Sequence, residues 1–393
     1  MARAGSRRTG AAAFALALAV GAPAGIGTAA TGAAAGSPAA FAPKGELFTV
    51  ACPSHSCVAI GSRNGTTLIA QRWNGKAWST VPIAAPPSGN GDTIRDIACS
   101  GTSHCFAVGF RYGSEVNALL ERWDGTRWTE NPAPQPAGSK GAQLTGVSCP
   151  TATFCMASGV WDRAASQSSY SAQWNGTAWT ATKIPKPPDA SVMSAQSVSC
   201  FDASTCSLVG RIVKSTTQTL VMQWNGHGWT RKPSPTPSGP KQLSLSDVSC
   251  PTRASCFAVG WYIQASHHYP FAVRWSGQTF ALLKTTVPSG VDQTVLDDVA
   301  CVTSLFCMSA GSTSLPNGQT SPWFKRWDGK HWVTVATPSK TPTNTPLFDV
   351  SCSSTKSCAT VGATFADITT PRTLAMHWNG TAWAIDPPPA GAS

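Results

Sequence analysis

Short apolar runs separated by polar turn residues are the dominant pattern of this chain. A run such as residues 47–51, 144–148 or 347–351 precedes the first cysteine of a recurring pair, and a run such as 106–108 or 257–259 follows the second. Two short apolar runs joined by four or five residues are typical of a β-hairpin. We therefore predict hairpins in which the two cysteines lie opposite each other across the mouth.

A second hairpin is predicted by the Trp-Asn-Gly-x-x-Trp motif that follows each cysteine pair. The third strand ends at Asn-Gly in four repeats, at Asp-Gly in two and at Ser-Gly in one. Asn-Gly and Asp-Gly favour a two-residue turn, in which both central residues take positive φ. Such a turn places Trp73 opposite Lys76, with Trp78 one diagonal step away on the same face. The thirteen tryptophans of these turns are predicted to pack neighbouring repeats together.

The two hairpins form one unit that occurs seven times, with a period of 50 to 52 residues. A fixed period in this range indicates an array, a solenoid or a propeller. Proline-rich stretches, such as residues 132–136 and 233–237, lead from one repeat to the next. We predict an all-β fold, a seven-bladed β-propeller of four-stranded antiparallel blades over residues 46–387. The predicted blades are residues 46–92, 93–142, 143–194, 195–243, 244–294, 295–345 and 346–387.

The fourteen cysteines all lie in the repeats, two in each, and such an even, patterned count predicts disulfides in an exported protein. Zinc is the alternative, but a structural zinc site needs four ligands and each repeat offers two cysteines. Because each pair spans one hairpin, every bond is expected within its own blade. The predicted bonds are Cys52–Cys57, Cys99–Cys105, Cys149–Cys155, Cys200–Cys206, Cys250–Cys256, Cys301–Cys307 and Cys352–Cys358.

The first 35 residues have the features of a secretory signal peptide. Arg3, Arg7 and Arg8 precede an apolar stretch at residues 11–20, and small residues follow it. Residues 36–45 are predicted to be a linker and residues 388–393 a disordered tail. The protein is therefore expected to be secreted, either extracellular or associated with the cell wall, and no stretch approaches the roughly 20 apolar residues of a membrane-spanning helix.

Net charge narrows the range of partners. Loss of the three leader arginines lowers the formal net charge from +11 to +8, and the basic residues form no run. Nucleic acid is therefore not expected as a partner, whereas anionic envelope polymers are favoured.

The recurring pattern of Val-Ser-Cys, Ala-Val-Gly and Trp-Asn-Gly-x-x-Trp resembles that of repeat proteins exported by actinobacteria. The turn is also similar to the Asp-box of sialidase-like propellers, which likewise joins the third and fourth strands. Here, however, Asn or Asp directly precedes Gly, whereas the Asp-box has a residue between them. The resemblance covers residues 46–387 and implies a secreted seven-bladed propeller, but it implies no particular activity.

The connecting loops of a propeller divide between two faces. The cysteine hairpins and the Trp-Asn-Gly turns share one, which we name the cystine face; the loops between strands two and three share the other, the loop face, with the proline-rich connectors. Loops on a rigid scaffold often carry function, and the loop-face segments hold all four tyrosines and the three tryptophans outside the turns. The alternative is that some of these residues pack between blades. The predicted ligand-binding residues are Tyr112, Trp161, Tyr170, Trp261, Tyr262, His267, His268, Tyr269 and Trp323.

Four repeats carry an aspartate three residues before the first cysteine: Asp96, Asp247, Asp298 and Asp349. On an innermost strand, these carboxylates either bind a cation in the central channel or cap backbone amides of a neighbouring loop. Asp247, Asp298 and Asp349 are thus minor candidates for a metal site. Capping is favoured, and no cofactor is expected.

Catalytic chemistry has little support in the sequence. The chain has only four glutamates, and no spaced pair of carboxylates of the kind that glycosidases use stands out. We therefore expect an exported, monomeric, non-enzymatic binding protein that recognises a glycan or cell-envelope polymer through its loop-face aromatics. The alternative is a structural platform that binds an extracellular protein through the same face, and the third possibility is a glycoside hydrolase or lyase.

Overall fold

The computed structural model describes residues 43–63, 65–84, 91–163, 166–240, 242–365 and 370–389. The predicted signal peptide and most of the predicted linker and tail lie outside these residues. Twenty-eight strands form seven four-stranded antiparallel sheets, each built from four consecutive strands. This is the predicted all-β, seven-bladed propeller. In the described part of the chain, no helix is present that could cross a membrane.

The strands follow one another in blade order. Blade 1 is β1 (Glu46–Ala51), β2 (Cys57–Arg63), β3 (Thr67–Trp73) and β4 (Trp78–Val81). Blade 2 is β5 (Asp92–Gly101), β6 (His104–Arg111), β7 (Asn117–Trp123) and β8 (Trp128–Glu130). Blade 3 is β9 (Ala142–Thr151), β10 (Phe154–Arg163), β11 (Ser166–Trp174) and β12 (Trp179–Lys183). Blade 4 is β13 (Val192–Asp202), β14 (Thr205–Val213), β15 (Thr217–Trp224) and β16 (Trp229–Arg231).

The remaining three blades repeat this order. Blade 5 is β17 (Gln242–Thr252), β18 (Ser255–Gln264), β19 (His267–Trp275) and β20 (Phe280–Leu283). Blade 6 is β21 (Gln293–Thr303), β22 (Phe306–Ser314), β23 (Thr320–Trp327) and β24 (Trp332–Val335). Blade 7 is β25 (Leu347–Ser354), β26 (Ser357–Phe365), β27 (Pro371–Trp378) and β28 (Trp383–Ile385).

The turn tryptophans form much of the core between blades. Trp123 and Trp128 of blade 2 are buried in a cluster with apolar residues of blade 1. In blade 3, the rings of Trp174 and Trp179 lie 5.1 and 5.0 Å from that of Phe106, which belongs to blade 2. Each tryptophan pair thus faces the preceding blade and removes a large apolar area from water. The prediction that these tryptophans pack the blades together is confirmed.

The Trp-Asn-Gly turns are longer than predicted. Trp73 pairs directly with Trp78, and not with Lys76, so that four residues form the loop. Asn74 Oδ1 accepts hydrogen bonds from the backbone N–H groups of Lys76 and Ala77, both at 2.9 Å. Because this side chain closes the turn, only the glycine takes a positive φ, of 95°. The predicted two-residue turn is wrong for this reason.

Every innermost strand carries a β-bulge at the same place. In blade 1 the register shifts between Leu47 and Thr49, which leaves Phe48 as the extra residue, and the other six blades shift at the equivalent position. Next to the bulge the two strands approach closely: a Cβ on Gly61 would come within 1.7 Å of the Glu46 carbonyl oxygen. This close approach explains the glycine that follows each second cysteine.

The ring closes without exchange of a strand between blades 7 and 1. The Val50 N–H donates to Asp349 Oδ2 at 2.9 Å, and Trp78 Nε1 donates to Asp386 Oδ2 at 2.9 Å. Residues 43–45 also form backbone hydrogen bonds with the start of β27. The seam is therefore held by side-chain caps and a short backbone pairing.

All fourteen cysteines form disulfides within their own blades, as predicted. The bonded residues are five or six positions apart, and their Cα atoms are 3.9 to 4.2 Å apart. Closure of so short a loop contributes about 2 kcal/mol per bond in the chain-entropy treatment. Seven such bonds indicate an oxidising environment.

Candidate functional site

The cystine face is regular, and the same contact joins its turns to its cysteine hairpins in successive blades. Trp123 Nε1 donates to the Thr102 carbonyl at 3.0 Å, and Trp174 Nε1 donates to the Ala152 carbonyl at 3.1 Å, so the turn and the cysteine hairpin of one blade are joined. Some contacts also recur on the loop face, such as Thr285 Oγ1 to the Pro270 carbonyl and Thr337 Oγ1 to the Pro322 carbonyl, but the loops between strands two and three differ in length from blade to blade. Differences between blades are therefore concentrated on the loop face.

The hairpin of β18 and β19 carries the densest group of predicted ligand-binding residues. It closes in a tight turn at Ala265 and Ser266, whose φ angles of 49° and 68° are positive. Tyr262 lies directly opposite Tyr269, and their rings are stacked with centroids 5.4 Å apart. We name residues 261–269 the aromatic hairpin. Its three tryptophan and tyrosine residues and its two histidines are all partly exposed.

The second pair of rings in the aromatic hairpin adds to this surface. Trp261 and His268 stack with ring centroids 5.2 Å apart. Burial lowers the pKa of His268. His267 Nδ1 lies 2.8 Å from Asp292 Oδ1 and so links the hairpin to the connector between blades 5 and 6. The hairpin is thus an anchored surface of aromatic rings.

Tyr112 forms a separate aromatic contact on blade 2. Its side chain is 53% exposed, and its ring lies 5.1 Å from that of Phe110. The guanidinium of Arg95 lies 5.4 Å from the centroid of the same Phe110 ring. These three residues make a strip from the rim of the loop face towards the innermost strand.

Tyr170 and Trp323 are buried, with exposed fractions of 0% and 4%. Both pair with the glycine that follows the second cysteine, Gly159 and Gly311 respectively. Tyr170 Cε1 lies 2.4 Å from where a Cβ on Gly159 would be, so its ring fills the space that the glycine leaves. These two residues are core residues, and the structure does not bring them to the ligand-accessible surface with the aromatic hairpin.

Trp161 is 6% exposed and borders a small cavity between blades 2 and 3. The cavity has a volume of about 90 Å³, and Lys140 also lines it. Lys183 Nζ lies 4.8 Å from the Trp161 ring centroid, in a cation–π contact. Trp161 is thus a wall residue of this cavity and lies on a different blade from the aromatic hairpin.

The central channel contains a cavity of about 290 Å³ lined by the innermost strands. The aspartates that line it accept hydrogen bonds from backbone N–H groups of the next blade around the ring. This is the capping role that the sequence analysis favours over cation binding. Burial and the charges of neighbouring aspartates raise the pKa values of Asp96 and Asp298 well above the usual range. Among the described residues, no group of three or more acidic, histidine or cysteine side chains is arranged to hold a metal ion. The capped N–H groups are those of Val147 on Asp96, Val299 on Asp247, Val350 on Asp298 and Val50 on Asp349, at 2.7 to 3.0 Å.

The bulge residues are a further set that the sequence reasoning missed. Each is partly or fully exposed on the innermost strand, one position closer to the loop face than the aspartates. A signal was present: the buried residues Leu47 and Val50 are three positions apart, which breaks the two-residue alternation of a strand. We name these residues the mouth ring: Phe48, Arg95, Thr145, Gln196, Ser246, Asp297 and Phe348.

Comparison with known proteins identifies the fold. No protein-family model matches the sequence, and no curated protein matches it. An ulvan lyase bound to GlcA(1-4)Rha3S is 8% identical, with a TM-score of 0.61 over 88% of this chain and 96% of that one. A GH74 xyloglucanase from Xanthomonas campestris is 12% identical, with a TM-score of 0.55 over 89% and 55%. A Hadza microbial sialidase is 10% identical, with a TM-score of 0.50 over 84% and 73%.

At these identities the likeness shows the propeller fold. The similar structures include a sialidase, in agreement with the resemblance of the sequence to sialidase-like propellers. Neither an actinobacterial origin nor membership of the Trp-Asn-Gly repeat proteins is supported by the comparisons. The sequence analysis led us to expect a non-enzymatic protein, and this expectation is wrong. A lyase, a glycoside hydrolase and a sialidase share the fold of the chain. The physical reason is that a fold can bring together carboxylates that are not spaced as a motif. The enzyme status of the chain is open.

Proposed function

We propose that this protein recognises carbohydrate through its loop face, with the aromatic hairpin as the principal contact. The observation that carries the proposal is the grouping of Tyr262, Tyr269, Trp261 and His268 as two stacked ring pairs on one anchored hairpin. The cystine face also has partly exposed ring pairs, Trp224 with Trp229 and Trp275 with Phe280, but each of these turns carries a single pair.

Aromatic side chains suit this role for two physical reasons. The flat apolar face of an indole or phenol ring packs against the C–H face of a pyranose, while the polar edge hydrogen-bonds to sugar hydroxyls. The hairpin pairing and the contact between His267 and Asp292 hold the rings in place before a ligand arrives. Little side-chain freedom is then lost on binding, which favours affinity.

Two further observations support a carbohydrate ligand. The solved structures that share the fold include proteins named as a polysaccharide lyase, a xyloglucanase and a sialidase. The seven disulfides suit an exported protein, and extracellular and cell-wall polysaccharides are available in that compartment. These observations support an extracellular location as part of the proposal.

A glycan array followed by calorimetric titration tests the proposal. Trp261→Ala and Tyr269→Ala should each weaken binding of the best array ligand by about tenfold or more, as loss of an anchoring aromatic does. Phe201→Ala is the matched control, because Phe201 is an aromatic residue on the cystine face that is 42% exposed. Melting temperatures of all variants should show that the fold is retained.

Other outcomes would replace the proposal. Absence of binding to any glycan, or equal loss in Phe201→Ala, would contradict it. Capture of an extracellular protein by the same hairpin without any glycan would favour the interaction platform instead. Chromatography of the incubated oligosaccharide shows in the same experiment whether the ligand is also cleaved.

A further inference from the structure

The mouth ring is the least regular part of an otherwise regular set of innermost strands. The residue before each bulge residue is apolar and buried, as Leu47 and Leu245 are. The residue two positions after each bulge residue is valine or isoleucine. The bulge residue between them changes from blade to blade among aromatic, basic, acidic, amide and hydroxyl side chains. Blade packing therefore does not determine its identity.

One half of the mouth ring combines aromatic rings with opposite charges. Asp297 on blade 6, Phe348 on blade 7, Phe48 on blade 1 and Arg95 on blade 2 follow one another around the channel. The rings of Phe48 and Phe348 are in edge contact, with centroids 6.0 Å apart, so bulge residues of neighbouring blades meet. The other half holds only neutral hydrogen-bonding side chains: Thr145, Gln196 and Ser246.

The two charged members of the mouth ring have no ion-pair partner in the described part of the chain. Arg111, by contrast, is held by Asp92 at 2.7 Å and Glu130 at 3.0 Å. Burial raises the pKa of Asp297 to about 7, so this carboxyl is largely neutral in mildly acidic conditions. An arginine stays protonated throughout, which leaves Arg95 as a positive charge at the mouth that suits an anion.

We propose that the mouth ring binds an anionic sugar residue. The carboxylate or sulfate group of the sugar lies on the guanidinium of Arg95, and its C–H face packs against Phe48 and Phe348. The neutral half of the ring supplies hydrogen bonds to hydroxyl groups. This inference rests on the proposed carbohydrate function and adds to it a second contact point with a charge preference.

Calorimetry with three matched trisaccharides tests the inference. One ends in glucuronic acid, one has glucose in that place, and one has glucose carrying a sulfate ester. The wild-type protein should bind at least one of the two anionic ligands about tenfold more tightly than the neutral one, since a charge-assisted hydrogen bond is lost with the anion. The arm that shows the preference identifies the anionic group.

Variants assign this preference to the mouth ring. Arg95→Gln should remove the preference for the anionic ligands over the neutral one, whereas Phe48→Ala should weaken binding of all three ligands and keep the preference. Arg127→Gln is the control, because Arg127 is an exposed arginine of the cystine face. Melting temperatures confirm that each variant folds.

Outcomes separate this inference from the function that it rests on. If Arg95→Gln keeps the preference, or if the wild-type protein shows none, the mouth-ring site is overturned, while loss of binding in Tyr269→Ala would still support the aromatic hairpin. If Arg95→Gln loses the preference and Tyr269→Ala binds normally, the mouth ring stands and the hairpin is not the principal contact.

Discussion

Glu121 is a buried carboxyl between blades 1 and 2, and we predict that its ionisation destabilises the folded protein. This residue lies two positions before Trp123 on the same face of β7, and it is 1% exposed. Its Oε2 atom has no hydrogen-bond partner in the described part of the chain. Burial first, and then the negative charges of Glu130 and Asp92, raise its pKa to about 8, although Arg111 partly offsets these charges.

The sign of the stability change follows from proton binding. Between its unfolded pKa of 4.5 and its folded pKa of about 8, the folded protein holds a proton at Glu121 that the unfolded chain has released. Folding stability therefore falls as pH rises through this window and is level above it. At 1.36 kcal/mol per pH unit, the full effect is about 3–6 kcal/mol. For a domain of this size, that corresponds to a melting-temperature difference of roughly 4–8 °C.

Replacement of Glu121 by Gln preserves the shape of the side chain and removes its titration. Calorimetric melting should be measured at several pH values from 4 to 9. As pH rises, the melting temperature of the variant should increase relative to that of the wild-type protein by roughly 4–8 °C. Glu115→Gln, at an exposed glutamate, should show no pH-dependent difference. A difference between wild type and Glu121→Gln that stays constant with pH would refute this reasoning.

Two further predictions concern how the ring is held together. Asp349→Ala should cost about 1–3 kcal/mol of unfolding free energy because it leaves the Val50 N–H without an acceptor at the seam, and Asp349→Asn should restore most of this; equal loss in both variants would show that the cap is not responsible. Proteolysis without reductant, followed by mass spectrometry, should link Cys149 only to Cys155, and a peptide joined to another blade would contradict the pairing.

The fold was predictable because one short pattern recurs at nearly constant spacing. Seven copies of a two-hairpin unit allow few architectures, and the cysteine pairs fix which strands are neighbours. The turn geometry was not predictable from Asn-Gly alone, since Asn74 uses its side chain to close a longer loop. Backbone N–H groups that donate to a side-chain oxygen thus change the strand pairing without changing the sequence signal.

The candidate site was predictable only in part. Alignment of the repeats with one another shows that the residue four before the first turn tryptophan is always apolar, and Tyr170 and Trp323 occupy this position. Their burial follows from that register, so internal comparison separates them from the aromatic hairpin. The stacking of Tyr262 on Tyr269 depends on how far β18 and β19 extend, which no local motif encodes.

The most direct test of the central claim is a crystal structure of the protein with the oligosaccharide that binds most tightly on the array. The expected result is a sugar ring packed against Tyr269 or Trp261 of the aromatic hairpin, with the chain lying across the loop face. A sugar bound on the cystine face, or anywhere without contact to the aromatic hairpin, would contradict the claim.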